Sequence, residues 1–186
     1  MNKYTQPGRV MLMALTPAAL AFGSSLTTWI TVQAHTSINN SQVKVTGADA
    51  APAVTSLALV ALAATLALRI AGPKVRWLIC AMMAVTGVAL AWAALAVVTD
   101  PAAASMTEVG KATGVVGPGA DYHLSAWPWF AAACGVLYLL AALWAVYASR
   151  GWATRTKYER HVVTDHEDMD EIDTWDSLTA GHDPTR

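Results

Sequence analysis

Charge is scarce in this sequence. Asp, Glu, Lys and Arg together account for 13% of its 186 residues, against roughly 25% in an average soluble domain. Cysteine and phenylalanine occur only twice each, whereas hydrophobic residues reach 55%. This balance excludes an ordinary water-soluble globule and indicates a membrane protein.

The two cysteines are predicted to be unpaired. Cys80 lies near one end of an apolar stretch and Cys134 lies seven residues into another, so their depths differ by roughly 15 Å at 1.5 Å per helical residue. A disulfide needs Cα atoms within about 7 Å of each other. We therefore expect two small, buried apolar residues.

Four uncharged stretches are predicted to span the membrane as helices, at about 10–32, 50–68, 77–98 and 127–149. Each exceeds or approaches the 20 or so residues that cross about 30 Å of hydrocarbon. Backbone groups must bond internally there, which favours helices. The predicted fold class is an all-α membrane protein, with a four-helix domain over 10–150 between an N-terminus at 1–9 and a tail at 151–186.

Lys and Arg predict the orientation, because cytoplasmic loops are enriched in them. They cluster before the first stretch, between the second and third, and after the fourth, at Lys3, Arg9, Arg69, Lys74, Arg76, Arg150, Arg155, Lys157 and Arg160. The opposite loops hold only Lys44 and Lys111. The sequence thus predicts a multi-pass protein of the cell membrane with both termini in the cytoplasm.

A signal peptide is the alternative for the first stretch. Lys3 and Arg9 supply a basic start, and Val32-Gln-Ala34 resembles a cleavage site. The apolar run is longer than the 7–15 residues typical of a signal peptide. Cleavage would also leave three spans behind an external N-terminus, so retention is favoured.

At the end of the first stretch and beyond it, residues 28–33 and 42–46 alternate apolar and polar side chains around Ser37-Ile-Asn-Asn-Ser41. This pattern predicts a small extracytoplasmic β-hairpin, which needs support from the helix ends or a partner because two strands alone are marginal. The second outer loop, 99–126, is rich in Ala and Gly. It is expected to have little structure of its own.

Tryptophans and small residues suggest how the helices are placed. Trp77, Trp127, Trp129 and Trp152 lie at predicted helix ends, as interfacial anchors do. Trp92 and Trp144 lie deeper and are expected to pack between helices. Three small-xxx-small pairs suit close helix contact, without showing which helices meet: Ala63 and Ala67, Gly87 and Ala91, and Ala131 and Gly135.

No constellation in the sequence indicates catalysis, a metal or a cofactor. The histidines lack zinc-ligand spacing with cysteine support, and the carboxylates near His161 and His166 belong to a hydrophilic run. The apolar stretches also lack the ionisable residue that ion-coupled carriers usually place in the membrane. We therefore expect no enzyme and no nucleic-acid partner, and transport is the weaker alternative.

The C-terminal tail carries nine of the 13 acidic residues. Its composition predicts a mostly disordered segment, yet its last residues include types that are common at helix termini. Asp173 is a candidate cap, Gly181 a candidate C′ residue, and Pro184 blocks continuation. So short a helix needs a docking surface to be stable. The predicted partner-binding residues are Asp173, Trp175, Asp176, Leu178, Gly181, Asp183 and Pro184, with Trp175 as the anchor.

Five motifs of this chain form a recognisable set. They are Trp29, Val45-Thr-Gly-Ala-Asp-Ala-Ala-Pro52, Trp127-Pro-Trp129, Lys157-Tyr-Glu-Arg160 and, most specifically, the ending Asp173-Thr-Trp-Asp-Ser-Leu-Thr-Ala-Gly-His-Asp-Pro-Thr185. Together they resemble the motifs of the tryptophan-associated transmembrane protein family of high-GC Gram-positive bacteria. His182 stands where an acid is common in that ending. The resemblance implies a gene neighbourhood of tryptophan biosynthesis and carries no catalytic residue with it.

These observations predict a non-enzymatic membrane accessory protein linked to tryptophan metabolism. Its partners would be the lipid bilayer and a protein bound by the cytoplasmic tail. The alternative is a transporter, or a transporter subunit, for tryptophan or an aromatic precursor.

Overall fold

The computed structural model describes residues 6–36, 39–113 and 120–150. Six helices and three strands follow one another as α1 (Pro7–Ser25), β1 (Thr28–Thr36), β2 (Asn39–Thr46), α2 (Gly47–Ala50), α3 (Pro52–Ile70), α4 (Pro73–Thr99), α5 (Pro101–Thr113), β3 (Ala120–Leu124) and α6 (Trp127–Ser149). The mainly helical fold with a small sheet is confirmed. The predicted tail lies outside the described residues.

Proline is the first residue of α1, α3, α4 and α5, at Pro7, Pro52, Pro73 and Pro101, and Pro128 is the second residue of α6. Proline suits the first turn because the N–H that it lacks would have no helical partner there. Pro17 is the exception, inside α1. Helix starts are therefore set locally by the sequence.

By length and composition, three of the described helices are able to cross a membrane: α3, α4 and α6. They correspond to the stretches predicted at 50–68, 77–98 and 127–149. The first stretch was predicted wrongly, because α1 ends at Ser25 and residues 28–32 belong to β1. Strand pairing ends the helix: Thr28 pairs with Thr46, and Ile30 pairs with Val45 and Leu124.

The four long helices form a ring in which each packs on two neighbours, in the order α1, α3, α4, α6 and back to α1. One buried cluster fills the middle of this ring, with contributions from all four helices, including Val10, Ala14, Ala61, Met83 and Tyr138. Chain direction alternates around the bundle. The start of α1, the end of α3, the start of α4 and the end of α6 therefore lie at one end, which we call the basic end.

The opposite end, which we call the sheet end, carries a three-stranded antiparallel sheet in the order β2-β1-β3. The predicted hairpin is confirmed as β1 and β2. Its apolar residues Ile30, Val32 and Val45 pack in one cluster with residues of the helix ends, including Ala94 and Ala131. The hairpin thus has the support from the helices that two isolated strands would lack.

The prediction of little structure in the loop at 99–126 was wrong for residues 101–113, which form α5, and for residues 120–124, which form β3. Residues 114–119 of this loop lie outside the described part of the chain. Asp100 caps α5 by accepting a hydrogen bond from Ala103 N at 2.9 Å, and α5 packs against β1 and β2. Further on, β3 adds to the free edge of β1. Alanine-rich composition favours a helix once a cap and a packing surface are present.

Candidate functional site

The predicted tail site falls outside the described part of the chain, so the structure does not place it. This applies to Asp173, Trp175, Asp176, Leu178, Gly181, Asp183 and Pro184. The structure describes four other candidate features. At the sheet end, Trp29 is held against Ser24 and Gly47, an arrangement that we call the tryptophan lock. The others are a hydrogen-bonded centre in the bundle, a close helix crossing and a cluster of cations at the basic end.

The tryptophan lock is built around Trp29, whose side chain is fully buried. The pairing of β1 with β2 shifts between Thr28 and Ile30, so Trp29 is the extra residue of a β-bulge. A bulge interrupts the alternation of side chains between the two faces of a sheet. This explains why Trp29 and Ile30 are both buried although they are adjacent. The indole Nε1 donates to Ser24 O at 2.8 Å.

Gly47 completes the lock because its missing side chain makes room for the indole. A Cβ at this position would lie 2.4 Å from Trp29 Cε2 and 2.9 Å from Ser25 Cα. The Gly47 N–H also donates to Thr27 O at 2.9 Å. The end of α1, the bulge and the start of α2 are thereby held together at one point.

Thr46, the residue before α2, caps this short helix. Thr46 Oγ1 accepts from Asp49 N at 3.4 Å and donates to Asp49 Oδ2 at 2.6 Å. This pattern satisfies an orphan N–H of the short helix α2. The motif at 45–52 therefore has a structural role: it turns the chain from β2 through α2 into α3.

The centre of the bundle holds a polar contact across the ring. Tyr138 on α6 donates from Oη to Ala61 O on α3 at 2.7 Å, and Thr65 Oγ1 donates to the same carbonyl at 2.8 Å. The two hydroxyl oxygens lie 3.1 Å apart. Each polar group thus has a partner, as a buried group in an apolar surrounding requires. This contact was not predicted from the sequence, although the hydroxyl of Tyr138 within the apolar stretch was an available signal.

We expect Tyr138→Phe to lower the free energy of unfolding by about 0.6 kcal/mol, the average for hydrogen bonds between membrane helices. The phenyl ring would still fill the space, so the loss reports the hydroxyl alone. Tyr147→Phe is the matched control, because Tyr147 is 63% exposed. Unfolding in mixed micelles with increasing denaturing detergent measures both, and equal losses would contradict a role for the hydroxyl.

Helices α4 and α6 cross at two glycines. A Cβ on Gly87 would lie 2.9 Å from Leu139 N, and one on Gly135 would lie 2.7 Å from Ala91 N. The backbones are therefore in direct contact, as small residues permit. Two of the small-xxx-small pairs meet here, whereas Ala63 and Ala67 are exposed.

The basic end gathers helix termini around Arg76. Its Nη1 donates to Ser149 O, the last residue of α6, at 3.4 Å, and its Nη2 donates to Ala71 O, after α3, at 3.3 Å. A cation at helix C-termini is favourable because the terminal carbonyls carry partial negative charge. Arg150 also lies over the ring of Trp77, at 5.8 Å from the centroid. These contacts tie the ends of α3, α4 and α6 together.

The two cysteines lie where the sequence predicts them, whereas the two deeper tryptophans do not. Cys80 and Cys134 are free and buried, as predicted. The expectation for Trp92 and Trp144 was wrong, because they are 77% and 40% exposed and face away from the bundle. Alanine on the inner faces lets the helices approach closely, which leaves the large rings outside. Within residues 6–36, 39–113 and 120–150, no three His, Cys, Asp or Glu side chains group as a metal site.

A family model described as tryptophan-associated transmembrane protein covers residues 11–185. Searches of curated proteins and of solved structures gave no match. The matched range includes the tryptophan lock, the crossing glycines and the tail motif.

Proposed function

Because this chain belongs to the tryptophan-associated transmembrane protein family, we propose that it is a non-enzymatic membrane accessory protein linked to tryptophan metabolism. The membrane part anchors and the C-terminal tail docks a cytoplasmic protein. The observation that carries this proposal is the contrast within the chain. The bundle is closed by small residues and Tyr138, while the acidic side chains and a tryptophan motif concentrate after residue 158.

The proposed topology has four spans in the cell membrane, with α1 as the first and both termini in the cytoplasm. Charge segregation supports it. Of the seven described Lys and Arg residues, five lie at the basic end, namely Arg9, Arg69, Lys74, Arg76 and Arg150. Lys44 and Lys111 lie at the sheet end, together with the described acids Asp49, Asp100, Glu108 and Asp121. Cytoplasmic ends are enriched in Lys and Arg. At 19 residues, α1 is about 28 Å long, and it packs in the ring with the other three.

A binding role suits the chemistry better than catalysis. Proton transfer and nucleophilic steps need positioned groups with tuned pKa values. The hydroxyls in the centre of the bundle are committed to Ala61 O. Nucleic acid is not proposed as a partner, since the tail is acidic and phosphate contacts need Lys and Arg.

In the tail, Trp175 is the proposed anchor, with Leu178 beside it on one face of a turn and Asp176 as a polar contact. Asp173 and Gly181 would limit the turn, and Asp183 and Pro184 would end it. Aromatic anchors dominate the energetics of such contacts. A short amphipathic segment that orders on binding is a common mode of recognition.

We expect Trp175→Ala to lose most of the binding between the tail and its partner, about 2 kcal/mol or more as for anchor residues generally. The measurement is affinity purification of the tagged full-length protein from mild detergent extracts, compared with Trp175→Ala and a variant ending at residue 160. One cytoplasmic protein should be retained by the intact chain and lost from both Trp175→Ala and the shortened variant. Trp152→Ala, outside the motif, is the control and should retain it. Identical sets of proteins from all four would contradict the proposal.

A flux measurement distinguishes the accessory proposal from transport of tryptophan or an aromatic precursor. Vesicles with and without the purified protein are loaded with labelled tryptophan, and efflux is followed. The accessory proposal predicts unchanged flux. Altered flux that persists after deletion of residues 161–186 would support transport instead.

A further inference from the structure

A groove opens on the outside of the bundle where α3 begins and α4 ends, and the start of α5 also lines it. It has a volume of about 540 Å³, and seven of its eleven lining residues are alanine, including Ala53, Ala93, Ala96 and Ala103. The hydroxyl of Thr99, also in the lining, donates to Ala96 O at 2.9 Å. The volume lies within the range of ligand pockets, roughly 300–1,000 Å³. Short side chains thus leave room for an apolar group.

Asp100, the residue after α4, is the one charged residue among those that line this groove. Its Oδ1 accepts from Ala103 N at 2.9 Å as the cap of α5. A carboxylate has about four acceptor positions, so this bond leaves most of them open. Within the described ranges Asp100 makes no ion pair, and Lys111, a cation of the same end, pairs with Glu108 at 2.6 Å. The groove therefore suits an apolar body that carries a cationic hydrogen-bond donor.

The position of Asp100 along the chain is that of lipid headgroups. Trp77 belongs to the opposite interface, because tryptophan favours membrane interfaces and the guanidinium of Arg150 lies over its ring. Asp100 follows Trp77 by 23 residues, which is about 35 Å along a helix, whereas the hydrocarbon is about 30 Å thick. The carboxylate thus lies just beyond the hydrocarbon. Ala93 lies about 10 Å deeper, at the level of acyl chains.

We propose that the α3–α4 groove binds one phosphatidylethanolamine, a phospholipid whose headgroup ends in a primary ammonium. The ammonium donates to the carboxylate of Asp100, and the start of an acyl chain lies against Ala93 and Ala96. Charge complementarity selects this occupant, because the described lining residues carry one negative charge and no positive one. The quaternary ammonium of a choline headgroup has no N–H to donate. This site is independent of the tail, so either proposal stands if the other fails.

Native mass spectrometry of the full-length protein tests this proposal, in micelles with equimolar phosphatidylethanolamine and phosphatidylcholine of the same acyl chains. The two lipids have the same net charge, so the cations of the basic end favour neither. One phosphatidylethanolamine should be retained per protein, about threefold enriched, the scale of one exposed ion pair. Asp100→Asn should abolish the enrichment while it preserves α5, because asparagine is an equally good cap. Asp49→Asn, at the same end but outside the lining, should leave the enrichment unchanged.

Filling the groove gives a second comparison. Ala96→Phe should prevent retention of the lipid, whereas Ala81→Phe should not, although both alanines are exposed on α4 and only Ala96 lines the groove. Equal retention of both lipids by the unchanged protein, enrichment that survives Asp100→Asn, or equal loss in the two phenylalanine variants would each overturn the proposal. So would a protein dimer that Ala96→Phe dissociates, because a second copy would then occupy the groove.

Discussion

Replacing Gly47 by alanine should detach the sheet from the helix ends. The new methyl group would lie 2.4 Å from Trp29 Cε2 and 2.5 Å from Trp29 Nε1, well inside any tolerated contact. The indole cannot move aside while it keeps its bond to Ser24 O, and Ser25 backbone closes the other side. We expect a loss of folding free energy at or above the upper end of the roughly 1–3 kcal/mol that overpacking costs.

Limited proteolysis in mild detergent measures this effect, with cleavage expected within residues 28–46 of the variant. Gly23→Ala is the matched control, because a Cβ on Gly23 meets nothing within 4 Å. Alanine inside a helix is favoured over glycine by about 1 kcal/mol, so the control should be unchanged or more stable. Equal resistance of the two variants to protease would show that the lock is not required.

Gly135→Val should separate α4 from α6. Even the first carbon of the new side chain would lie 2.7 Å from Ala91 N and 3.0 Å from Ala91 Cα, and backbone atoms cannot rotate away as a side chain can. The pair α4 and α6 forms the most extensive helix contact in the bundle. The cost should reach about 3 kcal/mol or more, enough to remove most of the monodisperse protein on size-exclusion chromatography in mild detergent.

Ala63→Val tests whether a small-xxx-small pattern alone is enough to mark a helix contact. Ala63 and Ala67 form the same small-xxx-small pattern as Gly87 and Ala91, but they face outward from α3. A valine at position 63 should therefore leave the elution profile and the melting temperature nearly unchanged. A loss as large as that of Gly135→Val would show that α3 uses this face in a helix contact.

The sequence was sufficient for elements defined by their own residues. Long uncharged runs identified α3, α4 and α6, and alternation identified β1 and β2. The first span was placed wrongly because Ser25, Leu26 and Thr27 do not interrupt the uncharged run. What ends α1 is the pairing of β1 with β2 and with β3, the latter about 90 residues further on. The pairing with β3 leaves no local signal, whereas the alternation that begins at residue 28 overlapped the predicted end of the span.

Two other errors concern α5 and the direction of Trp92. The cap at Asp100 and the proline at 101 were visible signals for α5, and the Ala and Gly content concealed them. Trp92 lies inside α4 as predicted, but it lies on the outer face of the helix and not on the inner one. The sequence of a helix rich in alanine shows little difference in hydrophobicity between its two faces. The two glycine pairs were recognised as contact residues, while their partners emerged only from the packing of α4 on α6.

The tail remains the part of the chain on which the proposed function depends most. The family match extends to residue 185, so the ending at 173–185 falls within what the family model covers. A closed bundle with a tightly locked sheet end suits a fixed anchor from which a tail binds.

Site-specific photocrosslinking in living cells tests this claim most directly. A photoreactive amino acid is placed at position 175 in the full-length protein, and a matched one at position 165 in the acidic run. We predict that position 175 captures one cytoplasmic protein that position 165 does not capture, and that the purified protein binds a peptide of residues 161–186 but not its Trp175→Ala form. Capture of only random neighbours or lipid from position 175 would contradict the account.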